Sequence, residues 1–166
     1  MAKVFSTTAH VPIKRLMSRK LITVAPEDSV EVAVQLLRQR GIRHLLVMKN
    51  DRLVGIISDR DVKRTLDPTR TKRKLLGVGR LYFLLEPIPV REIMTRDVVT
   101  IAPDLTAQEA ASIMVKERFG ALPVQVKGRT VGIVTETDLL RYFAKSGKRH
   151  RPENKKMPGL KPRPKG

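Results

Sequence analysis

The chain has 166 residues, with 34 Lys and Arg against 16 Asp and Glu, for a net charge of +18. This length suits one compact domain or two small halves with a shared core, and it is too short for a barrel of eight strand–helix units, which needs about 250 residues. The absence of cysteine excludes disulfides, thiolate nucleophiles and cysteine-ligated zinc. No run approaches the ~18 consecutive apolar residues of a membrane span, and residues 1–20 contain no secretory apolar region, so we expect a cytoplasmic protein.

An internal repeat follows a short N-terminal extension. Residues 11–64 align without a gap on residues 88–141, with 15 identical positions in 54. Duplicated units of this kind usually bury their apolar faces against each other. The organisation that we predict is an extension at 1–10, a first repeat at 11–66, a connector at 67–87, a second repeat at 88–144 and a basic tail at 145–166.

Both repeats predict the order strand, helix, strand, strand, helix, after a short helix that begins at Pro12 or Pro89. In the first repeat the predicted elements are a strand at 21–24, a helix with Val30, Ala33, Val34 and Leu37 on one face, strands at 44–48 and 53–58, and a helix from Asp59. In the second they are a strand at 98–101, a helix with Ala107, Ala110, Ala111 and Met114 on one face, strands at 121–126 and 130–135, and a helix from Glu136.

The connector and the tail are less regular. The apolar run at 81–85 favours either a helix or a strand, and it would cover the groove between the repeats or face a partner. The tail carries nine Lys and Arg and one acid, Glu153, and is rich in proline and glycine. This composition predicts an extended, mobile arm, which either aids solubility or contacts nucleic-acid phosphates or an acidic surface without sequence preference.

The repeated segments resemble a tandem pair of CBS motifs (cystathionine β-synthase-type motifs), over about residues 11–144. The segments that carry the resemblance are 13–18 (IKRLMS), 23–26 (TVAP), 41–47 (GIRHLLV) and 55–61 (GIISDRD), and in the second copy 90–95 (VREIMT), 100–103 (TIAP), 119–124 (FGALPV) and 132–138 (GIVTETD). The whole is similar to small stand-alone CBS-pair proteins, including the type associated with acetoin utilisation. The resemblance implies an α+β fold of two β-α-β-β-α units, with sheets packed on helices, and a homodimer.

A hydroxyl stands three residues before an aspartate in both copies, as Ser58 and Asp61 and as Thr135 and Asp138. One interpretation is a helix capping box. The other is a nucleotide site, in which the helix N-terminus and the hydroxyl bind a phosphate and the carboxylate accepts both hydroxyls of a ribose. The resemblance favours the second interpretation, because the pattern is similar to the nucleotide-binding signature of CBS pairs.

The resemblance also implies that each site borrows from both motifs. Ser58 and Asp61 would then serve a base held near Thr100, Phe119 and Gly120, with residues 95–100 in the wall. Thr135 and Asp138 would serve a base held near Thr23 and Ile42, with residues 18–23 in the wall. Ile56 and Ile133 would pack on the two bases, although such apolar residues are also ordinary core.

The two sites should differ, because Arg43 and His44 are matched by Gly120 and Ala121 in the second copy. Arginine binds phosphate bidentately, and a protonated histidine donates to it. The alternatives are a solvated arginine and a histidine satisfied at a strand edge. If Arg43 and His44 bind phosphate, we expect the stronger phosphate contact at the site built around Asp61.

The function that we favour is a non-enzymatic regulatory module that binds an adenine nucleotide and acts on an unidentified protein. AMP, ADP and ATP (the last with Mg²⁺) remain open as ligands, as does S-adenosylmethionine. No catalytic triad order, Walker loop or zinc-binding spacing occurs in the sequence. The alternative is a nucleic-acid-associated protein that acts through its basic tail and uses the repeats as scaffold or sensor.

Overall fold

The computed structural model describes residues 10–67, 75–78, 81–84 and 87–147. Most of the predicted extension, part of the connector and the tail from residue 148 lie outside the described residues. In chain order the elements are a 3-10 turn at Ile13–Arg15, β1 at Thr23–Val24, α1 at Val30–Arg40, β2 at His44–Lys49, β3 at Arg52–Ser58, α2 at Asp59–Leu66, β4 at Leu75–Val78, β5 at Leu81–Leu84, a 3-10 turn at Val90–Glu92, α3 at Ala107–Glu117, β6 at Ala121–Val126, β7 at Arg129–Thr135 and α4 at Glu136–Gly147. The predicted α+β class is confirmed.

The first long helix of each repeat begins and ends at residues that suit a helix terminus. Ser29 caps α1 by accepting from the amide of Val32, and Gly41 ends it with φ +60°. Thr106 caps α3 within a full capping box, in which Glu109 accepts from the amide and the hydroxyl of Thr106. The apolar faces that predicted these helices lie in the core, including Val30, Ala33 and Leu37 of α1 and Ala107, Ala110 and Met114 of α3.

Each repeat contains an antiparallel hairpin, β2–β3 or β6–β7, that pairs its ends in the same register. His44 lies opposite Ser58 in the first hairpin, and Ala121 lies opposite Thr135 in the second. The helix that follows therefore starts beside the beginning of the hairpin's first strand. This geometry places the Ser58 and Thr135 caps next to residues 43–44 and 120–121.

The predicted strands at 21–24 and 98–101 are shorter than expected. Thr23 and Val24 form β1 and pair in parallel with β2, whereas Ile101 makes only a single parallel bridge to Val124. Before β1, Ile22 still contacts β2, because its carbonyl accepts from the Leu46 amide at 3.4 Å. In the connector, β4 and β5 form an antiparallel pair, which decides between the helix and strand predictions for residues 81–84.

The short segment that begins each repeat packs on the other repeat. Ile13 is fully buried in the core of the second repeat, and Ile88 and Val90 are fully buried in the core of the first. Ile13 N donates to Leu105 O at 2.8 Å, and Val90 N donates to Asp28 O at 2.8 Å. Burial of each such aliphatic side chain contributes about 1.5–3 kcal/mol. The exchange therefore ties the two repeats into one unit, with a cleft on each side of the tie.

Candidate functional site

Two clefts open at the junction of the repeats, and each is named here after its aspartate. The Asp138 cleft has a volume of about 260 Å³ and is lined by Ser18, Lys20, Ile22, Gly41, Ile42, Arg43, His44, Leu46, Ile133, Thr135, Thr137, Asp138 and Arg141. The Asp61 cleft has a volume of about 660 Å³ and is lined by Arg43, His44, Ile56, Ser58, Asp59, Arg60, Asp61, Arg64, Thr95, Asp97, Val98, Val99, Met114, Val115, Arg118, Phe119, Gly120, Ala121 and Glu136. Each cleft therefore takes its aspartate from one repeat and its opposite wall from the other.

Asp61 is held by a capping box at the start of α2. Its Oδ2 accepts from the Ser58 amide at 2.9 Å and from the Ser58 hydroxyl at 2.6 Å, and the Asp61 amide donates to Ser58 Oγ at 3.3 Å. Among the described residues, none donates a hydrogen bond to Oδ1 of Asp61. The capping interpretation of this pair is thus correct as geometry, and it leaves one carboxylate oxygen available at the cleft.

Thr135 and Asp138 repeat the arrangement at the start of α4. Asp138 Oδ2 accepts from the Thr135 amide at 2.9 Å and from its hydroxyl at 2.7 Å. Here, however, Arg141 Nη1 donates to Asp138 Oδ1 at 3.4 Å. The matching residue of the first repeat, Arg64, makes no such contact with Asp61 in the described structure. Oδ1 of Asp138 therefore accepts a hydrogen bond from an arginine, whereas Oδ1 of Asp61 does not.

The back wall of each cleft is a pair of backbone hydrogen bonds between the repeats. Ser18 and Ile133 exchange bonds of 2.9 and 3.0 Å behind the Asp138 cleft. Thr95 and Ile56 exchange bonds of 2.9 and 3.0 Å behind the Asp61 cleft. These backbone groups satisfy each other's hydrogen bonds. The side chains of Ile133 and Ile56 lie on the walls and give each cleft an apolar floor.

The structure brings eleven of the thirteen residues predicted for the sites to a cleft wall. Thr23 and Thr100 line neither cleft, and their neighbours Ile22 and Val99 take that place. Side chains alternate along an extended segment, so a displacement of one residue exchanges the side that faces the cleft. The eleven are Ile42, Arg43, His44, Ile56, Ser58, Asp61, Phe119, Gly120, Ile133, Thr135 and Asp138.

Arg43 lies between the clefts rather than in one of them. Its backbone carbonyl accepts from the amide of Asp59, the first residue of α2, at 3.0 Å. Its side-chain Nη2 donates to Oγ1 of Thr137, in the first turn of α4, at 2.8 Å. One residue thus contacts the start of both cleft-forming helices.

His44 also lines both clefts and packs against Gly120. A Cβ on Gly120 would lie 2.9 Å from His44 Nε2. Burial lowers the pKa of His44 and the neighbouring Arg43 lowers it further, while Asp59, Glu136 and Asp61 act in the opposite direction. These effects together favour the neutral imidazole, which donates from one ring nitrogen only.

The charges on the cleft walls favour phosphate binding in the Asp138 cleft, whereas the sequence predicted the stronger phosphate contact at Asp61. The Asp138 cleft carries three cations, Lys20, Arg43 and Arg141, against one carboxylate. The Asp61 cleft carries four arginines against four carboxylates. Since opposite charges balance in the second case, the smaller cleft is the more favourable place for an anion.

Several wall residues were not among the predicted site residues. Lys20 lies in the segment 18–23 that was expected at a cleft wall, but it was not named as a site residue. The sequence did not indicate Thr137, because the matching residue of the other repeat is Arg60. Arg141 matches Arg64 across the repeats, and that identity beside a predicted site was an available signal.

Within the residues that the structure describes, no three side chains of a kind that binds metal come together. No described helix combines the length and apolar character that a bilayer crossing requires.

Comparison with known proteins gives consistent matches. The CBS domain family matches residues 13–67 and 90–145. A CBS domain-containing protein of Dictyostelium discoideum is 36% identical over 141 residues, which cover 81% of this chain and 92% of that protein. Inosine-5′-monophosphate dehydrogenase of Korarchaeum cryptofilum is 38% identical over 123 residues, which cover 73% of this chain and 22% of the enzyme. The chain thus spans about a fifth of the length of that relative.

Two solved structures share the fold. A CBS domain pair in complex with 5′-methylthioadenosine and S-adenosyl-L-methionine is 28% identical, with a TM-score of 0.67, and the match covers 81% of this chain and 97% of that one. A protein of Vibrio cholerae assigned to acetoin utilization is 26% identical, with a TM-score of 0.68, and the match covers 84% of this chain and 96% of that one.

Proposed function

The chain belongs to the CBS domain family, and from this premise we propose that it is a non-enzymatic regulatory module that binds an adenine nucleotide in the clefts between its two motifs. The observation that carries the proposal is the shared construction of the clefts. Each presents a capped aspartate of one motif to an apolar and backbone-lined wall of the other. A similar CBS pair binds two adenosine-containing ligands, which supports an adenosine-sized occupant here.

The ribose would bind to the capped aspartates. In the Asp61 cleft, Oδ2 already accepts two bonds from Ser58, while Oδ1 faces no donor of the described structure. A ribose has two neighbouring hydroxyls, each of which donates one hydrogen bond, and a carboxylate accepts up to about four. The diol therefore fits this group without breaking the cap.

The α-phosphate would bind where the helix begins. In this structure the hydroxyls of Ser58 and Thr135 donate hydrogen bonds to Asp61 and Asp138, at 2.6 and 2.7 Å. A phosphate at the helix N-terminus gains from the partial positive charge there. The amides of Asp59 and Glu136, the first residues of the two helices, already donate to the carbonyls of Arg43 and Gly120. Rotation of the hydroxyl would exchange its charge-assisted hydrogen bond to the carboxylate for one to the phosphate, while the amide of Ser58 or Thr135 still donates to the aspartate.

The base would lie on the apolar floor of each cleft. Ile133, Ile42 and Ile22 line one cleft, and Ile56 and Phe119 line the other. Purine rings gain affinity from such flat apolar contacts, and nearby backbone groups supply specificity.

The charge on the walls bears on the choice of ligand. Lys20, Arg43 and Arg141 favour an anionic ligand in the Asp138 cleft, which supports AMP, ADP or ATP there, the last with Mg²⁺ carried by its phosphates. The balanced Asp61 cleft suits a neutral adenosine or a cationic compound such as S-adenosylmethionine as well as a nucleotide. The two clefts would thus differ in their preference for phosphate.

Regulation follows from the way each ligand touches both motifs. A ligand that binds one arrangement of the motifs more tightly than another shifts the protein toward that arrangement. A regulated protein would then read the change. The energy available for the signal is the difference in affinity between the two arrangements.

A homodimer is part of the proposal. Val115 and Leu140 are 80% and 68% exposed on α3 and α4 of the second motif. The matching positions of the first motif are Arg38 and Lys63, so the apolar patch occurs on one motif only. A second copy would cover this patch by packing the same patch of its own second motif against it, which keeps the basic faces of the two first motifs out of the interface.

Titration calorimetry tests the nucleotide proposal. We expect AMP to bind to the wild type and 2′-deoxy-AMP to bind about tenfold more weakly, because it lacks one ribose donor. Asp61→Ala and Asp138→Ala should each remove one binding event. Glu109→Ala is the matched control, because it removes the acid of a capping box outside the clefts. The proposal is wrong if no purine nucleoside or nucleotide gives heat with the wild type.

A second candidate function is supported by the charge of the tail. Residues 145–166 carry nine Lys and Arg and one acid. Clustered cations of this kind bind nucleic acid through its phosphates. Deletion of residues 148–166 would then abolish salt-sensitive binding of mixed-sequence DNA or RNA, while AMP binding by the clefts would remain.

A further inference from the structure

We propose that Arg43 is one phosphate-binding group shared by the two clefts, so that phosphate-bearing ligands in the two clefts compete for it. The inference rests on the proposed function, and it adds a coupling between the sites. It starts from the position of Arg43 on the walls of both clefts.

The repeat explains why there is one such arginine rather than two. Gly120 stands at the position that matches Arg43, and Ala121 stands at the position that matches His44. The His44 ring occupies the space beside Gly120, where a Cβ would lie 2.9 Å from Nε2. The junction therefore accommodates His44 of one repeat because the other repeat supplies a glycine beside it.

The contacts of Arg43 link it to both phosphate positions. Its carbonyl is bonded to the first amide of α2, and its guanidinium is bonded to Thr137 in the first turn of α4. The side chain is exposed, and its partner is a neutral hydroxyl. A phosphate is a stronger acceptor than a hydroxyl, so a nucleotide in either cleft would take the guanidinium from Thr137.

Sharing makes the two binding events oppose each other. The first phosphate neutralises the charge of Arg43, and the second then meets a weaker attraction as well as repulsion from the first. Adenosine carries no charge and would not compete. The protein would therefore bind one nucleotide tightly and the second more weakly, whereas two adenosines would bind independently.

The test compares AMP with adenosine in proteins that keep a single working cleft. Asp61→Ala leaves the Asp138 cleft, and Asp138→Ala leaves the Asp61 cleft. The ratio of the adenosine Kd to the AMP Kd, measured by calorimetry, gives the contribution of the phosphate in each cleft. We expect Arg43→Gln to lower this ratio about tenfold in both backgrounds.

Three matched variants separate sharing from a general effect of charge. Arg64 lines only the Asp61 cleft and Arg141 lines only the Asp138 cleft, so Arg64→Gln and Arg141→Gln should each lower the ratio in one background. Arg129 is exposed and lines neither cleft, so Arg129→Gln should leave both ratios unchanged. Thermal unfolding of each variant without ligand shows whether it remains folded.

The outcomes decide between the two proposals. An effect of Arg43→Gln in one background only, a second cleft that binds neither ligand, or two independent AMP sites in the wild type would overturn the sharing and leave the adenosine-binding function standing. No binding of adenosine or AMP to the wild type would overturn the function itself. A ratio lowered in both backgrounds, with opposed AMP sites that become independent in Arg43→Gln, supports the sharing.

Discussion

The sulfur of Met17 lies against Gly132 of the other motif, at 2.5 Å from the place that a Cβ would occupy. Met94 has the same relationship with Gly55, also at 2.5 Å. These contacts lie beside the backbone pairs that close the two clefts. Glycine at both positions thus allows the methionine-bearing segment of one motif to approach the strand of the other.

We predict that Gly132→Ala lowers the free energy of unfolding by about 1–3 kcal/mol, because the added methyl group overpacks the junction. Gly132 does not have a positive φ, so its backbone conformation accepts alanine and the cost is steric. Chemical denaturation measures the change.

A double-mutant cycle with Met17→Ala assigns this cost to the contact. In the Met17→Ala background, Gly132→Ala should cost clearly less than in the wild type, because the sulfur that it would meet is gone. Equal costs in the two backgrounds would contradict the assignment.

The hydroxyls of Ser58 and Thr135 are expected to act on stability and on binding. Ser58→Ala and Thr135→Ala should each lower the free energy of unfolding by about 1 kcal/mol through loss of a helix cap. They should also weaken AMP binding more than adenosine binding, since the hydroxyl is proposed to contact the phosphate.

Thr106→Ala provides the control for this pair of effects. Thr106 caps α3 with the same box geometry but lines neither cleft. It should cost the same stability and leave AMP binding unchanged. Loss of AMP binding in all three variants would mean that the hydroxyls act only through the stability of the fold.

The lowered pKa of His44 predicts that the free energy of unfolding depends on pH. Because burial and Arg43 lower its pKa in the folded protein, the unfolded chain takes up the proton more readily. The stability that the neutral imidazole supports is present above the ordinary value of 6.5 and is lost as the pH falls from there toward the folded pKa. Denaturation of the wild type and His44→Gln from about pH 7.5 to about pH 5 should show a smaller loss in the variant.

Ligand binding should act on the same group in the opposite direction. A phosphate near His44 favours its protonated form, so AMP binding at about pH 6 should take up more protons in the wild type than in His44→Gln. The phosphate of AMP itself titrates at about pH 6, and its own proton change is common to both proteins. Calorimetry in buffers with different ionisation enthalpies measures the uptake. Equal proton uptake by the wild type and His44→Gln would show that His44 does not sense the phosphate.

Most elements could be predicted because their signals are local. The faces of α1 and α3 have helical spacing, and the hairpins are short apolar strands around a tight turn. The exchange of the first segments could not be predicted in this way. Ile13 and Val90 occupy matching positions, so packing each on its own repeat or on the other buries the same kinds of residue. Only the three-dimensional course of the chain separates the two arrangements.

The sites were predictable to a similar degree. Ser58, Asp61, Thr135 and Asp138 follow a spacing that a sequence displays. The contact between Arg43 and Thr137 follows no such spacing, because it joins residues at positions that are not equivalent in the repeat. A long side chain can reach several partners, and packing at the junction selects one.

The apolar patch on α3 and α4 provides the last prediction. If Val115 and Leu140 lie at the interface of a homodimer, Val115→Glu together with Leu140→Glu should convert the dimer to a monomer, because two carboxylates per chain would be buried against their copies. Light scattering after gel filtration measures the mass. Val126→Glu is the control, since Val126 is 41% exposed at the end of β6 and outside this patch. A wild-type protein that is already monomeric, or a double variant that stays dimeric, would show that a different surface, or none, joins two copies.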